Sequence, residues 1–238
     1  MTVARPQPRE RLILPLDFAT VGEARAMVRR LGESVVFYKI GLQLAFAGGL
    51  DLIDELAGEG KRIFLDMKLL DIGNTVAAAV ESIARRNVDF LTIHAYPQAM
   101  RAAVGARQFG KPRLLAVTVL TSLDDGDLAA AGYGEGVAAL VAHRAADAKA
   151  AGMDGIVAAA TEAAAIRRIV GPQMAIVTPG IRPPGAEVGD QKRVATPAEA
   201  IAAGADYLVV GRPITAAPDP RQVADAIVAD IAAAAGGG

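Results

Sequence analysis

One segment of the sequence leads from an apolar strand through three charged residues to a helix start: Phe64-Leu65-Asp66-Met67-Lys68-Leu69-Leu70-Asp71-Ile72-Gly73-Asn74-Thr75. Residues i and i+2 of a strand share one face, so Asp66 and Lys68 are predicted to project the same way. Asp71 follows in the turn before the helix. Two carboxylates and an ammonium are costly to desolvate at a strand end, which indicates that the chemistry lies here.

Similar strand-and-helix units recur along the whole chain. The strand-like apolar runs are Leu12–Phe18, Val35–Ile40, Arg62–Lys68, Phe90–His94, Leu114–Leu120, Gly155–Ala159, Met174–Thr178 and Tyr207–Val210. Helices are predicted at Val21–Leu31, Leu42–Ala57, Asn74–Arg86, Pro97–Gln108, Val137–Ala151, Glu162–Val170, Pro197–Ala203 and Arg221–Ala233. Nearly continuous Val, Ile and Leu is typical of strands that are covered on both faces.

This alternation predicts right-handed βαβ units and a parallel sheet. About eight repeats in ~250 residues favour a single-domain (β/α)8 TIM barrel of the α/β class. An open doubly wound sheet is the rival, but Leu16-Asp17-Phe18-Ala19-Thr20 stands where that fold carries its glycine-rich motif. We therefore predict one barrel domain over 1–238, with an N-terminal extension at 1–10 and a flexible tail at 234–238.

The composition excludes several functional classes. The formal net charge is −1, which gives no reason to expect a nucleic acid or an anionic membrane as partner. The chain has no cysteine, which excludes disulfides, thiolate nucleophiles and thiolate metal sites. Its polar N-terminus does not resemble a secretory signal, and no apolar stretch reaches the length of a membrane span. We expect a soluble, cytoplasmic protein.

Polar residues collect at the predicted carboxyl ends of the strands, where barrel enzymes carry their active sites. A lone Asp17 is also compatible with a turn or capping role, and Asp66 with Lys68 is also compatible with a structural ion pair. Lys39 lies inside an apolar strand and needs a partner, because an unpaired buried ammonium is prohibitive. Taken together, the alternating charges favour a catalytic set: Lys39, Asp66, Lys68 and Asp71.

Metal-free chemistry is the more economical interpretation of this set. His94 and His143 form no histidine cluster for a transition metal. The two aspartates are compatible with Mg²⁺, but the intervening Lys68 competes with a cation for their charge. We therefore expect no metal at this set.

A second pattern lies near the end of the chain, where Val209-Val210-Gly211-Arg212-Pro213 indicates a strand, a glycine turn and a helix start. Barrels commonly bind phosphate at this place through backbone N–H groups and a helix N-terminus. Arg212 adds a cation that can bind in a bidentate manner. With Arg182 and Gln191 on the long connection Pro179–Thr196, the pattern predicts a phosphorylated substrate under a lid; the alternative is a plain βα turn.

Seven segments of the sequence, among them Asp66–Thr75 and Gly211–Thr215, together resemble the orotidine 5′-phosphate decarboxylase family over essentially the whole chain. Gly73 departs from the pattern, because many relatives carry proline there. The D-x-K-x-x-D motif alone is shared with related decarboxylases and aldolases, but all segments in this order are highly specific. The matching segments are Leu16-Asp17, Tyr38–Gly41, Asp66–Thr75, Thr118–Ser122, Thr178–Pro183, Gly189–Gln191 and Gly211–Thr215.

The resemblance implies a homodimer that converts orotidine 5′-monophosphate into uridine 5′-monophosphate and CO₂ without a metal or cofactor. It also implies that Lys68 donates a proton to C6 of the pyrimidine and that Asp66 lies beside the scissile carboxylate. By the same resemblance, three residues reach into the partner subunit's site, so that the two active sites are shared: Asp71, Ile72 and Thr75.

The remaining contacts implied by the resemblance surround the rest of the nucleotide. Asp17 and Lys39 would hold the ribose hydroxyls, with Lys39 also paired to Asp66, and Thr121 would contact the pyrimidine. The phosphate group and its closing loop would involve Arg182, Pro183, Gln191, Gly211 and Arg212.

Two alternatives stay open beside this reading. One is a Mg²⁺-dependent barrel enzyme similar to 3-keto-gulonate 6-phosphate decarboxylase or hexulose phosphate synthase, whose sequences place an acidic residue where Lys39 stands. The other is a non-catalytic phosphate-binding barrel, which the intact set of Asp66, Lys68 and Asp71 disfavours.

Overall fold

The computed structural model describes residues 6–107, 110–183 and 193–236. Within these ranges, eight parallel strands close into a barrel in the order of the sequence, and β8 pairs with β1. The closed barrel confirms the predicted single-domain (β/α)8 fold and excludes the open doubly wound sheet. The strands are β1 Leu12–Pro15, β2 Phe37–Ile40, β3 Arg62–Leu69, β4 Phe90–His94, β5 Arg113–Val117, β6 Gly155–Val157, β7 Ala175–Thr178 and β8 Tyr207–Val209.

Helices follow the strands along the chain and pack around the barrel. Short 3₁₀ turns lie at Pro8–Arg11 and Gly32–Ser34. The helices are α1 Val21–Leu31, α2 Leu42–Leu44, α3 Leu52–Gly58, α4 Gly73–Ile83, α5 Pro97–Ala106, α6 Asp125–Ala130, α7 Val137–Ala151, α8 Ala160–Val170, α9 Pro197–Ala202, α10 Arg212–Thr215 and α11 Pro220–Gly236.

Local sequence explains where several helices begin and end. The Thr20 hydroxyl accepts the N–H of Glu23 at 3.2 Å, and the Glu23 carboxylate accepts the N–H of Thr20, which forms a capping box at the start of α1. Thr196 and Glu199 form the same box at α9. Gly152 ends α7 with φ 79°, a left-handed conformation that favours glycine.

The single helix predicted over Leu42–Ala57 is wrong. The structure divides it into α2, a π-helical turn at Ala45–Gly49, and α3. Gly48 has φ 87°, which no residue of a right-handed helix adopts, so the helical ladder breaks there. Sequence periodicity cannot show this break, because alanine, leucine and isoleucine on both sides continue the helical pattern.

Further boundaries differ from the prediction, and β1 ends at Pro15 rather than at Phe18. β5 ends at Val117 rather than at Leu120, and β6 ends at Val157 rather than at Ala159. The connection between β5 and α7, for which no helix was predicted, contains helix α6, where Asp124 caps the N-terminus by accepting the N–H of Asp127 at 3.0 Å.

The buried core has two parts, one between strands and helices and one inside the barrel. Within β4, Phe90 belongs to the inner part, whereas Leu91 and Ile93 belong to the outer part, as the period of two requires. The same alternation places Thr92 on the inner side. The inner part consists of Ile13, Phe37, Phe64, Phe90, Leu115, Ala175, Val177, Tyr207 and Val209.

The first described residues are tied to the barrel through Arg11, and the chain ends in helix α11. Arg11 is buried and donates to the main-chain oxygens of Ala205 and Asp206, each at 2.8 Å. Helix α11 runs beyond its predicted end at Ala233. The extension at 1–10 and the flexible tail at 234–238 stay predictions. Among the described residues, no helix has both the length and the apolar character needed to cross a membrane.

Candidate active site

A cavity of ≈ 670 Å³ opens among the carboxyl ends of the strands. Its volume suits a small-molecule ligand. Much of its lining is apolar, with Val117, Val119 and Val157 on one part of the wall. The predicted site residues that line it are Asp17, Lys39, Asp66, Lys68, Thr121, Arg182, Gly211 and Arg212.

Four charged side chains in this cavity form a continuous chain of alternating sign. Asp17 Oδ1 lies 3.2 Å from Lys39 Nζ, and Lys39 Nζ lies 3.4 Å from Asp66 Oδ2. Asp66 Oδ1 accepts a hydrogen bond from Lys68 Nζ at 2.8 Å. The side chains of Lys39 and Asp66 are only 11% and 13% exposed, whereas that of Lys68 is 28% exposed. The Lys68 ammonium, which stands at one end of this series of charges, is therefore accessible to a ligand.

Strand β3 is irregular where it carries these groups. Leu65 pairs with Leu91 and Leu69 pairs with Ile93, so β3 advances by four residues, 65 to 69, while β4 advances by two, 91 to 93. Lys68, inside this bulge, has φ 50° and is the only non-glycine residue with positive φ in the described ranges. That conformation costs roughly 1–2 kcal/mol. Strain of this kind persists where the surrounding structure holds it, often at functional sites.

The regular alternation predicted for β3 is thus wrong between Leu65 and Leu69, although Asp66 and Lys68 do lie on the same side of the strand's end, as predicted. Asp66 and Lys68 do meet, but through a bulge rather than by simple alternation. A bulge redirects a side chain without ending the strand, and bulges are common beside active sites.

The Asp66 carboxyl is held in its ionised form. Burial raises its pKa, but the ammonium groups of Lys39 and Lys68, together with hydrogen bonds from Lys68 and Thr92, outweigh burial and hold the pKa below its usual range. The Thr92 hydroxyl donates to Asp66 Oδ1 at 2.9 Å. The cavity thus contains a fixed negative charge between two ammonium groups.

His94 ends β4 beside the same charges. Burial lowers the pKa of its imidazole, and the positive charges of Lys68 and Arg144 lower that pKa further, so the ring is neutral at neutral pH. The ring stands perpendicular to that of Tyr96, with 6.5 Å between the centroids. In the described part of the chain, no three His, Cys, Asp or Glu side chains are grouped so that they could hold a metal ion.

The ends of β7 and β8 bring two guanidinium groups to the same cavity. Arg182 follows β7, and Arg212 begins α10 directly after Gly211. A Cβ atom at Gly211 would lie 2.9 Å from Cγ of Pro15, so glycine lets this turn pass close to the end of β1. The cavity therefore has a region of alternating charges at β1 to β3 and a cationic region at β7 and β8.

The other predicted site residues lie elsewhere. Asp71, Ile72 and Thr75 do not line this cavity and are exposed on the chain that follows β3. Pro183 is half-buried beside Arg182 but is not part of the lining. Gln191 lies outside the described residues, as does the middle of the predicted lid, at 184–192.

Sequence reasoning missed three residues of the site. Ser122 and Pro15 line the cavity. Ser122 carried a signal, since it follows Thr121 in a polar pair after an apolar strand. Thr92 carried none, because it lies within the apolar run of β4, and only the pairing of β4 with β3 brings its hydroxyl to Asp66.

Known proteins resemble this chain in sequence and in structure. Residues 10–227 match the model of the Orotidine 5'-phosphate decarboxylase / HUMPS family. A protein from Rhodopseudomonas palustris (strain ATCC BAA-98 / CGA009), named orotidine 5'-phosphate decarboxylase, is 63% identical over 228 residues, which cover 96% of either chain. A protein of the same name from Afipia carboxidovorans is 60% identical over 234 residues, covering 98% of this chain and 100% of the relative.

Solved structures agree with this result. The crystal structure of orotidine 5'-phosphate decarboxylase from Lactobacillus acidophilus has a TM-score of 0.82 and 34% sequence identity to this chain. That alignment covers 96% of this chain and 99% of the other. The enzyme of the same name from Pyrococcus horikoshii OT3 has a TM-score of 0.75 at 26% identity, over 93% of this chain and 99% of the other.

Proposed function

The chain belongs to the orotidine 5'-phosphate decarboxylase / HUMPS family, and we propose that its cavity converts orotidine 5′-monophosphate into uridine 5′-monophosphate and CO₂. The observation that carries this proposal is the alternating chain Asp17, Lys39, Asp66 and Lys68 at the carboxyl end of the barrel. Full-length relatives named for this activity support it. The Mg²⁺-dependent sugar-phosphate alternative is not favoured, because Lys39 occupies the position where those sequences carry an acid.

Lys68 is the proton donor in this proposal. When the C6–carboxylate bond breaks, CO₂ departs and the bonding electron pair stays at C6, in a ring that offers no good sink for it. A preorganised ammonium stabilises that developing charge at little reorganisation cost. The same group then gives a proton to C6, so that a new C6–H bond forms and Lys68 becomes neutral until solvent reprotonates it. Its partial exposure allows that reprotonation.

Asp66 acts both on the proton donor Lys68 and on the substrate carboxylate. Its Oδ1 holds Lys68 Nζ at 2.8 Å and so determines where the proton lies. Its negative charge also faces the substrate carboxylate, and that repulsion is relieved as neutral CO₂ leaves. Lys39, 3.4 Å from Asp66 Oδ2, keeps the carboxylate ionised during the cycle.

The rest of the cavity binds the nucleotide away from C6. Asp17 and Lys39 would hold the ribose hydroxyls, and Thr121 would contact the pyrimidine. Binding energy from the remote phosphate can be used to close the loop over the reacting ring. The phosphate and loop residues in this proposal are Arg182, Pro183, Gln191, Gly211 and Arg212.

We also propose a homodimer in which Asp71, Ile72 and Thr75 complete the partner subunit's site. Support comes from large apolar side chains exposed on the connections that follow β2 and β3, with Phe46 87% and Ile72 69% exposed. We infer that these side chains form one apolar patch, and a large patch of this kind on a folded chain marks an interaction surface. A second copy of the chain would cover it and place Asp71 near the neighbouring cavity.

A cytoplasmic location belongs to the same proposal, since the nucleotide substrate is charged and does not cross membranes freely.

The function is tested with purified, EDTA-treated protein and orotidine 5′-monophosphate. We expect turnover, followed as loss of the ultraviolet absorbance of the substrate and confirmed by release of uridine 5′-monophosphate. Addition of Mg²⁺ should not change the rate. No turnover, or turnover that requires Mg²⁺, would contradict the assignment.

The shared site is tested by mixing two inactive variants, Asp71→Ala and Lys68→Ala. If Asp71 acts across the interface, random exchange of subunits regenerates about a quarter of the sites as native ones, since each mixed dimer has one intact site. Mixed samples should therefore recover a corresponding share of the activity. No recovery after proven subunit exchange would place Asp71 in its own chain's site.

A further inference from the structure

We propose that Thr92 is a positioning residue for the reaction, whose hydroxyl sets both the direction of the Asp66 carboxylate and the backbone that presents Lys68. The inference rests on the proposed roles of Asp66 and Lys68. It adds a residue on a neighbouring strand that does not line the cavity.

The hydrogen bonds of Thr92 have only one possible direction. Its side chain is fully buried. Oγ1 accepts the main-chain N–H of Lys68 at 2.9 Å and lies 2.9 Å from Asp66 Oδ1. A threonine hydroxyl has one hydrogen, and an amide N–H can only donate. The hydroxyl hydrogen must therefore point to Asp66, where it favours the ionised carboxylate.

These contacts form a closed ring around the catalytic pair. Thr92 holds the backbone of Lys68, the side chain of Lys68 donates to Asp66 Oδ1 at 2.8 Å, and the same oxygen accepts from Thr92. Because the ring is closed, a rotation of either catalytic side chain breaks at least one of its hydrogen bonds. Thr92 thus determines the relative position of the proton donor and its carboxylate.

The position of Thr92 in the sheet explains why this strand needs such a residue. β3 bulges between Leu65 and Leu69, opposite the single residue Thr92 that separates Leu91 from Ile93. A bulge disrupts the regular ladder of main-chain hydrogen bonds. The hydroxyl of Thr92 supplies an acceptor for the Lys68 N–H at that place, and the φ of 50° at Lys68 is held by this bond.

The test is Thr92→Val, which keeps the shape of the side chain and removes the hydroxyl. We expect kcat for orotidine 5′-monophosphate to fall on the order of 10²-fold, as for a displaced catalytic group. KM, and the affinity for uridine 5′-monophosphate, should change by less than about threefold, since the phosphate and ribose contacts remain. The acid limb of the kcat profile should move to higher pH, because Asp66 loses a donor to its ionised form.

Two control variants separate positioning from mere stability. Thr92→Ser keeps the hydroxyl and should retain most of the activity. Thr178→Val is the matched control: Thr178 is also a fully buried threonine on a barrel strand, but its Oγ1 has no hydrogen-bond partner among the described residues. It should keep the kcat and pH profile of the wild type. If Thr92→Val does not fold, Thr92→Cys fills similar space with a weaker donor and should show the same changes at smaller size.

The outcomes distinguish this inference from the proposed function. A wild-type chain that does not turn over orotidine 5′-monophosphate refutes the function itself. An active wild type with unchanged kcat and pH profile in Thr92→Val refutes only the role of Thr92. The role is also refuted if Thr92→Ser is as impaired as Thr92→Val, or if Thr178→Val loses as much activity.

Discussion

Carboxylates paired with cations occur at both ends of the barrel, but they are held in different ways. At the amino end, an aspartate stands directly before β4, before β6 and before β8, and each accepts a main-chain N–H from the preceding strand. These N–H···O pairs are Ile63 to Asp89 at 2.9 Å, Leu114 to Asp154 at 2.7 Å and Ile176 to Asp206 at 2.8 Å. The same aspartates pair with Arg62, Arg107 and Arg167.

At the carboxyl end, Asp66 is held by side chains: the hydroxyl of Thr92 and the ammonium groups of Lys39 and Lys68. A carboxylate bound to the main chain of the preceding strand contributes to the pairing of strands and hence to stability. A carboxylate bound to side chains can keep its charge while those side chains act on a ligand. We therefore expect substitutions at the amino end to reduce stability and substitutions at the carboxyl end to reduce activity.

The largest effect on activity should come from Lys68→Ala. Loss of the proton donor and of its charge should lower turnover by more than about 10³-fold. The free energy of unfolding should change by less than about 1 kcal/mol, because the side chain is partly exposed and Asp66 keeps Lys39 and Thr92 as partners. The measurements are substrate absorbance and urea denaturation. Near-wild-type turnover would remove Lys68 from its proposed role.

The opposite result is expected for Asp206→Ala at the amino end. This change leaves the Ile176 N–H without its acceptor and Arg167 without its carboxylate, which should cost about 2 kcal/mol in the free energy of unfolding. The folded enzyme should keep kcat within about twofold, since the site is distant. Asp206→Asn retains an acceptor oxygen and should be destabilised less. A fall in kcat well beyond twofold, with an unchanged free energy of unfolding, would contradict the comparison.

Two glycine substitutions sharpen the contrast, because they add the same methyl group at the two kinds of position. In Gly155→Ala the Cβ would lie 2.6 Å from the carbonyl oxygen of Ala175, so the strands must shift, at a cost of roughly 1–3 kcal/mol in stability. In Gly41→Ala it would lie 2.9 Å from Lys39 Nζ, which is a flexible end that can move. We expect Gly41→Ala to lower kcat/KM about tenfold with little change in stability.

Thermal unfolding and kinetics of both glycine variants check this pair. The φ of −100° at Gly41 is accessible to alanine, so backbone strain does not complicate the result. If Gly41→Ala proved the less stable of the two, the division between the two ends of the barrel would not hold at β2.

The smallest expected effect is a pH dependence from His94. Its pKa lies below the usual 6.5 in the folded chain, chiefly through burial, so the unfolded chain binds more protons just below that pH. Stability from this group is therefore complete above about pH 6.5 and decreases as the pH falls toward the folded pKa. The difference in unfolding free energy between wild type and His94→Gln should vary with pH in this range only. A difference that is independent of pH would contradict it.

Much of this fold followed from local sequence patterns. All eight strands lie within or next to their predicted runs, because buried parallel strands are read directly from short apolar segments between turn residues. The break at Gly48 and the helix α6 were missed because their local signals, the Gly48-Gly49 pair and the capping box of Asp124 and Asp127, lie outside the apolar periodicity. In the site, Lys39, Asp66 and Lys68 were recognisable as charges on apolar strands, whereas Thr92 was not, because it lies within the apolar run of β4.

By itself, the sequence determined the barrel, the end at which the charged groups collect and the family. The barrel and the end at which the charged groups collect depend on alternation along the chain, which is local, whereas the family is recognised from the order of motifs such as Asp66–Thr75. The tertiary structure decided which atoms meet. The bulge in β3, the φ of Lys68 and the hydroxyl of Thr92 arise from pairing between strands whose contacting residues are 24 and 26 positions apart. Such a register is set by the packing of the closed barrel, and no local pattern specifies it.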